Sequence, residues 1–176
     1  MYAFSPFGTL PCPQIPSMPL SSASRALAVA AIAALSNCAA KTASLSTATF
    51  ERTPCFGTCP VYKISVNGNG DVRFEGIRNV DSVGVFTGRI DASAVQKLAR
   101  AFEDANYFAL LPRYSQNNCP NYGTDASRIL TSITTPEQTK RIDHDLGCGD
   151  QAPAALPVLY RAFDEIVGTK RWIGNR

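Results

Sequence analysis

A single histidine, His144, is all the sequence holds of that residue, which excludes the multi-histidine centres typical of catalytic zinc. Only 18% of residues are charged, and the net charge is +3. That balance excludes both a strongly basic nucleic-acid binder and an acidic disordered chain. The lysines and arginines are scattered, so no basic face interleaved with aromatics emerges for nucleic acid. No apolar run approaches the ~20 residues of a membrane-spanning helix. No serine sits in a G-x-S-x-G elbow, and no pair of carboxylates can be set across a cleft. Gly68-x-Gly70 precedes a strand, which marks a hairpin turn and not a phosphate loop. No catalytic constellation remains. Neither an enzymatic activity, a cofactor nor a small-molecule substrate is expected.

What is present begins at Arg25. An unbroken apolar run, Ala26 to Leu35, follows it and leads into Ser36-Asn37-Cys38. A basic residue, a short apolar core and small residues near a cleavage point are the marks of a secretory signal. The segment Leu35-Ser36-Asn37-Cys38 resembles the lipobox of bacterial lipoproteins, in which the cysteine becomes the lipidated first residue. Asn37 departs from that pattern, which usually has Gly, Ala or Ser before the cysteine, and leaves conventional cleavage after Ser36 or Ala40 as the alternative. Residues 1–17 contain no basic residue, so Met18 is the expected true start. The reading is a signal over residues 1–37 and lipidation at Cys38. A flexible Ala/Ser/Thr-rich tether over 38–50 and one domain over 51–176 follow. The resemblance to lipoproteins implies the periplasmic side of the envelope. Ala39 after the cysteine implies the outer membrane over the inner.

Apart from Cys12 and Cys38, the cysteines are Cys55, Cys59, Cys119 and Cys148. In an exported domain these read as a disulfide framework with three possible connectivities. Cys55 and Cys59 flank Gly57 and can meet across a tight turn. Cys148 follows a hairpin whose facing positions sum to about 272, which brings it near residue 124 and within reach of Cys119. Cys55–Cys59 and Cys119–Cys148 are therefore the expected bonds.

Val61 to Val66 alternates apolar and polar, Asn67-Gly68 marks a hairpin, and Val72 and Phe74 continue on the return strand. A third strand is expected over Val83–Ile90. Asp91 or Ser93 can cap a helix carrying Val95, Leu98, Ala99 and Phe102 on one face. A second hairpin joins Ser127–Thr134 to Thr139–Asp145. The last helix spans roughly Ala154 to Val167, with Gly168 placed to end it. The order βββ-α-ββ-α, about five antiparallel strands and two helices, implies an α+β two-layer sandwich.

The sharpest motif is Cys55-Phe56-Gly57-Thr58-Cys59-Pro60-Val61-Tyr62. With the hairpin, the helix and Trp172, it resembles a bacterial domain-of-unknown-function family (number 6438) that is often found on predicted lipoproteins, over roughly residues 50–173. That resemblance implies no activity.

Two other uses of the cysteines compete with stapling. Soft thiolates select cuprous copper, so Cys55, Cys59 and His144 form a candidate copper or thiol-redox site. Zinc held by all four cysteines lacks the usual Cys-x-x-Cys knuckles and suits an oxidising compartment poorly. Asp143-His144-Asp145 reads most simply as an exposed strand end. The expected function is a lipid-anchored binding or structural module that meets an envelope protein, with the membrane reached through Cys38.

Overall fold

The computed structural model describes residues 44–174. The signal, the Met18 start, Cys12 and the Cys38 anchor lie outside the described residues. Four strands come first: β1 (Thr47–Arg52), β2 (Val61–Asn67), β3 (Asp71–Arg78) and β4 (Gly84–Arg89). Helix α1 (Ala92–Asp104) leads through a short 3-10 turn to β5 (Arg113–Tyr114). Strands β6 (Arg128–Thr134) and β7 (Thr139–Asp145) precede α2 (Ala155–Val167) and the four-residue α3 (Lys170–Ile173). One sheet contains all seven strands in the order β4-β3-β2-β1-β6-β7-β5. Every pairing is antiparallel except that of β5 with β7. The protein is α+β, with two strands more than the sequence pattern indicates.

The first extra strand corrects the domain boundary. Residues 47–50 were expected in the tether, yet they form four of the six residues of β1, the central strand. Ala48 and Phe50 are fully buried, while Thr47 and Thr49 alternate with them. Being central, β1 takes its stability from hydrogen-bonded neighbours on both sides, β2 and β6, and needs few large apolar residues of its own. The second extra strand, β5, is two residues long and carries no periodicity to detect.

The side chains buried on one face of the sheet form the core with α1 and α2. Phe50 packs against Tyr62 (6.0 Å between ring centroids), Tyr160 (5.6 Å) and Phe163 (5.2 Å). Trp172 stacks on Phe74 at 5.0 Å, so the C-terminal turn closes over β3. It also lies over Gly88, where a Cβ would come within 3.3 Å of the indole. Asp91 caps α1 by accepting the Ala94 N–H at 2.8 Å. Gly168 ends α2 in the left-handed conformation, φ 69°. The other face of the sheet is polar, with Thr49 bonded to Ser132 at 2.6 Å and Lys63 paired with Glu51 at 3.1 Å.

The ends of the sheet differ in kind. At the Thr47 end, where the chain comes in, lie the hairpin turns after Asn67 and Thr134. In the first of these only Gly70 takes positive φ, 86°. The Asn67 side chain, not an Asn-Gly backbone turn, organises it by accepting the Asn69 and Asp71 N–H groups at 3.0 Å each. At the Arg52 end lie the long connections 53–60, 115–127 and 146–151.

Candidate functional site

All four cysteines of the described domain sit at the Arg52 end. Cys55 is bonded to Cys59 (Cα–Cα 5.8 Å), and Cys119 to Cys148 (Cα–Cα 5.3 Å). The second pairing follows from the β6–β7 register, in which Arg128 faces Asp145 and Ile129 faces His144. Extended past the strand, that register sets Cys148 opposite residue 125, one position from the expected alignment. Both of its sulfurs belong to the core, with Cys119 1% and Cys148 0% exposed.

The loop between Cys55 and Cys59 is pinned at several points. Thr53 N–H donates to the Arg128 carbonyl at 3.0 Å, and Arg128 N–H returns a bond to Thr53 Oγ1 at 2.8 Å. Phe56 N–H donates to the Asp125 carbonyl at 3.1 Å, and Asn79 Nδ2 to the Cys59 carbonyl at 3.0 Å. Gly57 has φ 145°, a backbone setting that side chains disfavour. The neighbouring loop is built in the same way. Gly123 N–H reaches the Gly147 carbonyl at 2.8 Å, Tyr122 Oη donates to Asp145 at 2.8 Å, and Gln151 brackets Asn121.

Tyr62 explains the end of the motif. Its ring is fully buried beside Phe50 and Phe74, and its hydroxyl donates to Asp164 Oδ1 of α2 at 3.2 Å. Arg52 Nε donates to the same phenol oxygen at 3.2 Å, and Thr169 Oγ1 to Asp164 at 2.8 Å. Burial, then the facing Asp164 charge, push the Tyr62 phenol well above its ordinary range, so it stays a neutral donor. This network ties β1 and β2 to the end of α2. Two of its members, Asp164 and Thr169, line an open cleft of about 690 Å³ together with Glu165, Gly168 and Lys170. The sequence reading missed it. Its one signal was Asp164, a carboxylate four residues after Tyr160 at the margin of the apolar stripe of α2.

His144 is 2% exposed, so the exposed-strand-end reading of residues 143–145 is corrected. Helix α2 lies over this end of β7, and His144 Nδ1 meets Tyr160 Oη at 3.0 Å. Tyr114 of β5 stands edge-on at 6.0 Å between centroids. Nε2 is buried with no hydrogen-bond partner. Asp143 points to the other face, where Arg128 and Arg113 hold it. The alternative copper site of Cys55, Cys59 and His144 does not assemble. The two sulfurs are bonded to each other, and His144 lies two strand spacings from β1, roughly 10 Å, under α2. Among the described residues, no three His, Cys, Asp or Glu side chains converge as a metal would require.

Burial lowers the His144 pKa below its usual value of 6.5, against a smaller opposing pull from Asp145 and Asp143. The unfolded chain therefore takes up the proton first as pH falls. Stability is full above pH 6.5 and declines as pH drops from there toward the depressed folded value. Thermal melting between pH 7.5 and 5 should show this decline in the wild type and much less of it in His144→Gln. The same pH slope in both would contradict it.

Of the motif's apolar side chains, Phe56 alone is exposed. It is 90% exposed on a loop fixed by a disulfide and by three neighbouring segments. A family model described as "Domain of unknown function (DUF6438)" matches residues 46–167, a span that opens one residue before β1. No curated protein matches the chain.

Proposed function

The chain belongs to that family, which assigns no activity, and from this premise we propose that it is an envelope binding module acting through the stapled end of its sheet. The observation that carries the reading is the concentration of features at that end. Both disulfides, the three long connections and the exposed Phe56 are gathered there, while two tight hairpin turns and the incoming chain occupy the other. A large apolar side chain held rigidly in solvent loses little conformational freedom when a partner covers it. Aromatic anchors of this kind commonly supply most of an interface's affinity.

In this reading residues 1–37 direct export, lipidation of Cys38 holds the domain at the periplasmic face of a membrane, and the stapled end meets an envelope protein. Metabolic labelling with palmitate tests the anchor, with label expected in the wild type and absent from Cys38→Ala. Equal labelling of both overturns it.

Phe56→Ser tests the contact surface. Its stability should stay within about 0.5 kcal/mol of wild type, because the ring is in solvent. An envelope protein retained on the immobilised wild type should be lost from Phe56→Ser and kept by Asn69→Ser at the opposite end. Equal retention by all three contradicts the assignment.

A further inference from the structure

We infer that β4 is a self-pairing edge, through which two copies of this chain join into one continuous antiparallel sheet. The inference rests on β4 alone and stands independently of the role proposed for the stapled end. Of the sheet's two edges, β5 is a two-residue strand, whereas β4 runs six residues. Ile90 N–H bonds the Gly70 carbonyl of the β3 hairpin, and Arg89 faces Asp71. Even-numbered residues of β4 therefore bond to β3, and Val85, Thr87 and Arg89 turn their N–H and C=O groups to the open edge.

Natural edges are guarded by charge, proline or a bulge. From Gly84 to Gly88 this one has no charge and no proline, the charge of Arg89 at its end is paired with Asp71 of β3, and the pairing with β3 is regular throughout. Instead it is apolar on both faces: Ile77, Val83 and Val85 are more than half exposed on the polar side of the sheet, and Phe86 is 38% exposed on the helix side.

A second copy fits this edge better than an unrelated strand because the edge complements itself. Centring the pair on Val85 sets Val85 against its own counterpart, both with outward-facing backbone groups. It also sets Phe86 across from Gly84, where open space replaces a side chain. Because the other edge is only two residues long, head-to-head pairing closes as a two-fold dimer and leaves nothing to propagate.

Sedimentation of the full chain as the cell processes it should give a dimer for the wild type and a monomer for Val85→Lys, with unchanged circular dichroism. Under mild oxidation Val85→Cys should form a covalent dimer, since paired residues there lie roughly 5.5 Å apart at Cα, within disulfide reach. Val83→Cys, offset along the strand from its own counterpart, should not. A monomeric wild type, a dimeric Val85→Lys, or equal cross-linking by the two cysteine variants overturns the inference. So does a Val85→Cys adduct with a different protein, which would make the edge a receptor for a foreign strand.

Discussion

Replacing Phe50 by alanine should destabilise the domain by about 3–5 kcal/mol, the range for deleting a large buried aromatic side chain. Phe50 is fully buried at the middle of the sheet, and its ring meets Tyr62 from β2 and both Tyr160 and Phe163 from α2. Truncation leaves a cavity bounded by other aromatics, which have little freedom to collapse into it. Urea unfolding followed by far-UV circular dichroism measures the change. A loss below about 1 kcal/mol, of the size seen for surface substitutions, would return residues 47–50 to a tether outside the fold.

Removing both Cys119 and Cys148 as alanines should cost roughly 3.5 kcal/mol. The bond spans a sequence separation of 29, and the chain-entropy relation for a loop of that size gives this figure. The Cys55–Cys59 bond, with a separation of 4, should be worth only roughly 2 kcal/mol by the same relation. The order matters more than the values. Denaturant midpoints of the two double variants should rank the longer bond as the more stabilising, and the reverse ranking would contradict the entropic account. The shorter bond's main effect is local, since it holds the backbone that presents Phe56.

The elements legible in the sequence are those with strong local signals. Both helices carry apolar residues at helical spacing with a capping residue at one end, and both hairpins show alternation broken by turn residues. The β6–β7 register followed from the hairpin's turn to within one position. Strand β1 was hidden because Thr and Ser among small residues resemble a linker when read alone. Its strand character comes from β2 and β6, which lie 10 and 83 residues away by the contacts of Arg52 and Thr49. His144 was misplaced for a similar reason. Alternation put it on the face of Ile142, but only the arrival of Tyr160 from α2 decides that this face is covered. The stapled end as a surface was not legible. Two short disulfide-bearing segments more than fifty residues apart become one site only when β1, β2, β6 and β7 are set side by side.

The most direct test of the contact surface is photocross-linking in living cells, with a photoreactive amino acid placed in turn at Phe56 and at Asn69. Both positions are exposed, and they lie at opposite ends of the sheet. One discrete adduct from position 56 and none from position 69 is the predicted result. No adduct from position 56, or the same adduct from both positions, would contradict the assignment of the stapled end as the binding surface.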